Sequence, residues 1–509
     1  MAAASRSTDR EPDGPTPWRR SVNRKEHPLA RATPKNIALV YWASEGDGVS
    51  SHLRTYARIL AAEGHTVTWY YGSGSAPDIP GVRAEKLAVL DLDGPVPSAD
   101  EVRAELGPHL ATAHIVHVHN GHAFRPEVAK GLASLRDQRE REKRPFALLH
   151  TFHSPFNGKK EDRNAEAVKA FSGTFGVSQY MADFYRQKLG IDVQAITIGV
   201  ETARFAGVPD VALTDKESVV FGMAARMVPN KGVLESVRAF AEVVRDSDCR
   251  TQGAKPQLRI ASPARSVGAE YERADGYEET VKGIAEEIVA VEPDGSRRNL
   301  VHFENCTGEE MPGFYGRVHV MLSPTIAEEA FGLTVAESQA AGRVVISTDV
   351  GGLREALDPK SGRLLPRHGP EDSPVKPDDV VADLAQAMLP LARNRAQVTE
   401  LGCQARNFAR RRLGAGRHAQ RTLLAYYLHG AYAVKGGARN RTLSQQRPPG
   451  RDPRELRTPA SRGFLPPRGA PAARAISLIS PWARHSGRQV GAGAAVEKWG
   501  PSKTRSFFG

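Results

Sequence analysis

Twice along this chain, short runs of β-forming apolar residues alternate with longer stretches of helical spacing, and that doubled alternation restricts the fold more than any other feature. The first series opens at Asn36–Trp42 (NIALVYW) and passes into a helix at Val49–Ala62, where Leu53, Ala57 and Leu60 share one face. Strands follow at Thr66–Tyr71, Ile115–His119, Phe146–Phe152, Thr174–Val177 and Gln194–Ile198. The pattern restarts at Ser218–Ala225, continues with a helix at Gly232–Val244, and adds strands at Gln257–Ala261, Leu300–Glu304, Val318–Ser323 and Arg343–Thr348. Short strands separated by helices build parallel sheets from βαβ units. The expectation is an α/β chain of two doubly wound, Rossmann-like domains at 36–205 and 206–395, with a helical stretch, 396–433, packing back across them. Ligands of such sheets lie outside the carboxyl ends of the strands, so a cleft between two facing domains is the expected site.

Length supports the division, because 509 residues exceed what one core usually holds. The net charge of +12 invites a nucleic-acid reading, but its distribution opposes one. Residues 1–35 carry +4 and residues 434–509 carry +12, which leaves the body, 36–433, at −4. A basic face on a folded domain would not be partitioned into the two ends. Both ends lack hydrophobic periodicity and read as disordered tails. The C-terminal tail permits a weak contact with nucleic acid or anionic lipid, which leaves peripheral membrane association open. Cys249, Cys306 and Cys403 are scattered and odd in number, so neither a disulfide framework nor a zinc site is expected. That fits a reducing, cytoplasmic location. With no long apolar run and no apolar leader, neither a spanning helix nor a secretory signal is expected.

Chemistry-bearing residues concentrate in Val318–Gly352. A strand ends at Ser323-Pro324, a loop follows with Glu328, Glu329, Phe331 and Gly332, and a helix begins near Leu333 and contains Glu337. The free N–H groups and positive dipole end of such a helix suit a diphosphate. Glu329 and Glu337 flank that helix start, and ionised carboxylates are pure acceptors for sugar or ribose hydroxyls. Glu328 is the alternative to Glu329, one residue away. A second cluster, Arg226 and Lys231-Gly232, follows the Ser218–Ala225 strand and offers two cations to the same diphosphate. His114, His117 and His119 alternate along one strand, but no carboxylate or cysteine accompanies them, so no metal is expected.

These motifs resemble the family-4 retaining glycosyltransferases, the group-1 enzymes of GT-B architecture. The resemblance rests on Ser323-Pro324, Glu329-x-Phe331-Gly332-Leu333, Glu337, Ala341-Gly342, Val345 and Gly351-Gly352-x-x-Glu355. It extends upstream to Arg226 with Lys231-Gly232, Thr197–Phe205 (TIGVETARF), Phe152-His153-Ser154 and Gly64-His65-x-Val67. It implies transfer of a hexosyl-type group from a nucleoside diphosphate sugar to an unidentified acceptor hydroxyl, with the sugar nucleotide as co-substrate and no other cofactor. It further implies that Glu329 contacts the transferred sugar, Glu337 the ribose, and Arg226 and Lys231 the diphosphate, helped by amides of Phe331, Gly332, Leu333 and Thr334. Gly46 and Gly48 would lie near the diphosphate or acceptor, and His153 beside the reacting sugar. His119 is a further cleft candidate.

The chain departs from the family pattern at Ile198 (usually Asn), Glu201 (usually Asp), Arg343 (usually Pro) and the turn Arg259–Pro263, where a glycine is usual. The last leaves the identity of the base open. Other readings are a phosphorylase or a sugar-nucleotide epimerase on the same fold, or a non-catalytic binding protein working through the basic tail.

Overall fold

The computed structural model describes residues 34–120, 126–155, 167–214, 217–246, 255–262, 276–368 and 375–434, all within one compact unit. The two ends read as tails, 1–35 and 434–509, lie outside the described residues except at 34–35 and 434.

The first half runs β1 Asn36–Val40, α1 Gly48–Ala62, β2 Thr66–Tyr71, β3 Val82–Lys86, α2 Ala99–His109, β4 Ile115–His119, α3 Pro126–Arg141, β5 Ala147–Phe152, β6 Gly173–Gly176, α4 Gln179–Leu189 and β7 Gln194–Ala195. The second runs β8 Val220–Ala224, α5 Val233–Arg245, β9 Gln257–Ser262, α6 Tyr277–Glu286, β10 Val289–Val291, β11 Arg297–Asn299, β12 Val301–Asn305, α7 Met311–Gly316, β13 Val320–Ser323, α8 Leu333–Ala340, β14 Val344–Ser347, α9 Leu353–Ala356, β15 Arg363–Leu364 and α10 Pro377–Arg393. Two helices close the described chain, α11 Arg395–Arg412 and α12 Ala415–Val434.

Seven strands form one parallel sheet in the order β3-β2-β1-β4-β5-β6-β7, and six form another in the order β12-β9-β8-β13-β14-β15. In each sheet the chain order reverses beside the first strand, between β1 and β4 and between β8 and β13. Such a reversal splays the loops at the carboxyl ends and opens a crevice there. The central strands are buried on both faces, which is why they read as continuous apolar runs.

The strands that sequence reading missed are short, peripheral or only partly buried. β3 (VRAEK) lies at the sheet edge, and β10 and β11 form a separate antiparallel hairpin. The expected strand at Gln194–Ile198 shortens to two residues, although the Ile196 and Ile198 N–H groups still donate to the Gly176 and Val177 carbonyls while their side chains enter apolar clusters. The helical stretch expected at 396–433 is two helices that part at Leu413-Gly414. Helix α11 packs on the second half and α12 on the first, where Ala419, Ala425 and Tyr426 join the core around β1 and α1. At the break, the Val200 N–H donates to the Leu413 carbonyl at 2.8 Å, and the Ala415 N–H returns a bond to the Val200 carbonyl at 2.8 Å. The two crossings between the halves are thus tied to each other. A further apolar cluster is shared by both halves, with Phe152, Met181 and Tyr185 from the first and Phe331, Val335 and Leu353 from the second.

Among the described residues, no helix is long and apolar enough to cross a membrane.

Candidate functional site

The loops after β8 and β13 are welded by backbone contacts that require glycine. Gly232 has φ 74°, and a Cβ there would stand 2.1 Å from the Pro324 carbonyl oxygen. Asn230 supplies the matching acceptor: its carbonyl takes a bond from the Ile326 N–H at 3.0 Å and from the Thr325 hydroxyl at 2.8 Å. Gly332, with φ 93°, swings the chain into α8. Helix α8 begins at Leu333, as the sequence suggests, and has neither a side-chain cap nor an acidic residue in its first turn. Its leading N–H groups are therefore left for an outside acceptor.

Across this junction Lys231 and Glu329 meet. The Lys231 ammonium donates to Glu329 Oε2 at 2.8 Å, with the two side chains 26% and 28% exposed. Burial alone would raise the Glu329 carboxyl. The Lys231 charge and hydrogen bond, the Ala330 amide and the Arg226 guanidinium together outweigh that and hold it below its ordinary value. Burial, and then the Glu328 charge, push the Tyr180 hydroxyl up. Of the two glutamates, Glu329 is the one that pairs with Lys231.

Glu337 lies one turn further along α8 and accepts a hydrogen bond from the buried Tyr315 hydroxyl at 3.1 Å. Burial raises its carboxyl, and the Arg204 guanidinium and the Tyr315 bond offset part of that rise. The Tyr315 hydroxyl is pushed well up by burial and by the Glu337 charge. Neither Tyr315 nor Arg204 stood out in the sequence. Their elements, α7 and the turn Thr202–Phe205, adjoin α8 only in three dimensions.

The Phe331 side chain belongs to the shared apolar cluster, so only its backbone is available to a ligand. The pair Gly351-Gly352 forms a floor under the glutamate loop. A Cβ at Gly351 would stand 2.2 Å from the Glu329 carbonyl oxygen, and one at Gly352 would stand 2.2 Å from that of Ala330.

In the first half, Gly46 has φ 90° and lets Asp47 cap α1, with Asp47 and Ser50 bonding reciprocally. Gly48, expected in the loop, is the first residue of the helix. A Cβ on it would stand 3.5 Å from Leu333 Cδ1, so the start of α1 adjoins the start of α8. The structure brings Gly48, Leu333, Thr334, Lys231 and Glu329 to one junction between the halves.

His153 is built differently. Its N–H donates to Asn120 Oδ1 at 2.7 Å, and its Nε2 lies 2.8 Å from His119 Nδ1. It belongs to a cluster with four other buried imidazoles, His52, His117, His119 and His418. The His52 ring centroid lies 4.7 Å from His418 and 5.5 Å from His153, and those of His117 and His119 are 4.1 Å apart. His117 bonds Tyr426 at 2.6 Å and Thr151 at 2.7 Å. Burial, then the neighbouring imidazoles, push these rings down, His153 to about 3 and, by burial first, His418 to about 4. They are neutral near pH 7. Among the described residues no group of three or more His, Cys, Asp or Glu side chains is arranged to hold a metal ion. His418 and His52 were missed because one stands alone in a late helix and the other on α1.

The departures have local reasons. Ile198 is buried in the shared apolar cluster, where an amide would lack a partner. Glu201 pairs with Arg58 of α1. Arg343 is buried and donates to the Pro209 carbonyl at 2.5 Å, pinning the segment that joins the halves.

Two family models match the chain: Glycosyltransferase Family 4 over residues 46–204, and Glycosyl transferases group 1 over residues 218–394. Among curated relatives, a lipopolysaccharide 1,2-N-acetylglucosaminetransferase of Salmonella typhimurium is 24% identical over 50% of this chain and 60% of its own length. A D-inositol 3-phosphate glycosyltransferase of Corynebacterium jeikeium is 30% identical over 36% of this chain and 40% of its own. The matched region thus spans only about half the length of these relatives. Among solved structures, the sucrose-phosphate synthase of Thermosynechococcus elongatus superposes over 78% of this chain and 99% of its own with a TM-score of 0.59 at 19% identity. An Anabaena protein, HepE, in complex with UDP-glucose superposes over 77% of this chain and 100% of its own, with a TM-score of 0.56 at 13% identity. These likenesses place the two-sheet architecture in the GT-B fold.

Proposed function

Because this chain belongs to the family-4 glycosyltransferases, we propose that it moves a sugar from a nucleoside diphosphate sugar to an acceptor hydroxyl with retention of anomeric configuration. The observation that carries this reading is the Lys231–Glu329 pair beside the uncapped start of α8. There a diphosphate would meet Lys231, Arg226 and the leading amides of Leu333 and Thr334, and displace the ammonium from its carboxylate partner. Glu329 would then accept from hydroxyls of the transferred sugar, and Glu337, oriented by Tyr315, from the ribose. Gly46 and Gly48 leave room at the opposite wall for the diphosphate or the acceptor.

The bond broken is the anomeric C–O bond to phosphate, and the bond formed joins that carbon to the acceptor oxygen. Negative charge grows on the departing diphosphate as the ring becomes oxocarbenium-like, so Lys231 and Arg226 act most strongly in the transition state. Attack from the face the phosphate leaves gives retention, and a phosphate oxygen receives the acceptor proton. His153, held neutral, adds no positive charge beside the developing cation.

The HepE structure makes UDP-glucose the first donor to test, and the two curated relatives suggest acceptors that are themselves sugars or cyclic polyols. Wild type and the variants Lys231→Ala and Glu329→Ala would be incubated with UDP-, GDP- and ADP-sugars while nucleotide release is followed. Removing one charge-stabilising group should cost on the order of 100-fold or more in turnover. Wild-type turnover in both folded variants would sink the assignment.

A further inference from the structure

We propose that the start of helix α4, together with Glu355, is a positioning latch through which the first half orders the loop that carries Glu329. The proposal rests on the glycosyl-transfer reading for its catalytic consequence, and on geometry alone for the latch.

Three successive residues of the first half contact the second half at that helix start. The Ser178 hydroxyl donates to the Ala330 carbonyl at 2.6 Å while also accepting the Met181 N–H at 3.0 Å as the helix cap. The Gln179 N–H donates to Glu355 Oε2 at 2.8 Å, and the Tyr180 N–H to Glu355 Oε1 at 2.8 Å. Burial, and then the Glu328 charge, push the Tyr180 hydroxyl up, which sets that hydroxyl beside Glu328. Residues 328 and 330 are the neighbours of Glu329. Beneath the same loop, the Gly352 N–H donates to the Glu329 carbonyl at 2.7 Å. The loop backbone is therefore held from below by its own half and from the side by the other half, and the Glu329 side chain is left facing Lys231.

The pairing of Glu355 with α4 has a physical reason. The first amides of a helix have no intrahelical partners, and the dipole favours a carboxylate there. Helix α4 has no acidic residue in its own first turn. Glu355 supplies one from the other half, with one oxygen for each amide. The helix is fully capped only while the halves are docked, and docking also brackets Glu329. Donor binding is centred on Lys231, the α8 amides and Glu337, all in the second half. Opening the latch should therefore impair turnover more than donor affinity.

The test compares full-length wild type with Glu355→Ala, Glu355→Gln and Ser178→Ala, using whichever UDP-, GDP- or ADP-sugar the wild type turns over. Glu355→Ala should lower kcat for nucleotide release at least tenfold while donor KM changes less than threefold. Glu355→Gln, which keeps one acceptor oxygen, should fall between, and Ser178→Ala should also lower kcat. Small-angle scattering with saturating nucleotide should show Glu355→Ala more extended than wild type. A kcat within twofold of wild type in Glu355→Ala, or unchanged scattering, overturns the latch. So does a kcat loss that vanishes once activity is normalised to folded protein. Absence of turnover by wild type with every donor would instead count against the proposed function, and the scattering comparison would still decide the latch.

Discussion

The two halves of the molecule set their chemistry-bearing side chains on opposite electrostatic plans. The second half presents formal charges, Lys231 and Glu329, about a quarter exposed and carried on glycine-shaped loops. The first half presents neutral imidazoles, His153 backed by His119, His117, His52 and His418, all buried and stacked on α1 and α12. Under the proposed transfer, the difference suits a site where a diphosphate leaves on one side and a cationic sugar develops on the other. One wall must offer positive charge to the phosphates. The other must be polar without adding positive charge where the sugar ring turns cationic.

The sharpest way to break this comparison is through glycine. Gly190 in the first half and Gly232 in the second both sit in the left-handed region, at φ 62° and 74°. A Cβ at Gly190 meets nothing within 4 Å, whereas one at Gly232 meets the Pro324 carbonyl at 2.1 Å. Gly190→Ala should cost about 1–2 kcal/mol, the strain of the conformation alone. Gly232→Ala adds a backbone collision and should cost roughly 2–5 kcal/mol in all, with nucleotide release falling with it. Urea unfolding of both variants measures the gap. Equal losses would mean that the second loop is not shape-critical.

The parts of this arrangement that were legible in the sequence are those written in local pattern. Buried parallel strands announce themselves as apolar runs, and β2 and β4 fall at Thr66–Tyr71 and Ile115–His119 as read. The glycine and glutamate spacing around Leu333 marked the α8 start, because a turn into a helix needs its residues in sequence order. What stayed hidden is pairing across distance. His418 lies 366 residues from His52, yet their rings are 4.7 Å apart. Tyr315 reaches Glu337 only once the second sheet is assembled, and Glu355 reaches Gln179 only once both are. The edge strand β3 was invisible for the opposite reason, since it is exposed and has no apolar signature.

The first half's plan can be challenged with acid. Its buried histidines titrate below the ordinary value, His418 at about 4 and His153 at about 3. Between those values and about 6.5, the unfolded chain binds protons that the folded chain refuses. Stability from these groups is therefore fully present above about pH 6.5 and declines as pH falls toward 4. Each such histidine steepens the decline by up to about 1.4 kcal/mol per pH unit. Denaturant midpoints measured from pH 7.5 to 4.5 should fall steadily, and His418→Asn should flatten the curve. A profile level to pH 5 would contradict the neutral cluster.

The smallest effect concerns the point where the second half is least like its own plan. Glu337 is a carboxylate raised by burial and held by a buried tyrosine, more like the first half's enclosed groups than like Glu329. If Tyr315 serves only to orient it, Tyr315→Phe keeps the ring's packing in the shared apolar cluster and removes one hydrogen bond. Such a bond to a charged group is worth about 1.5–3 kcal/mol, and Arg204 and the ribose hydroxyls would recover part of that. The expected outcome is a donor KM raised about three- to tenfold, with kcat nearly unchanged, since a ribose contact is the same in ground and transition states. A fall in kcat at constant KM would place Glu337 nearer the reacting sugar than the ribose. The second half would then hold two catalytic carboxylates of opposite design, Glu329 lowered by cations and Glu337 raised by burial.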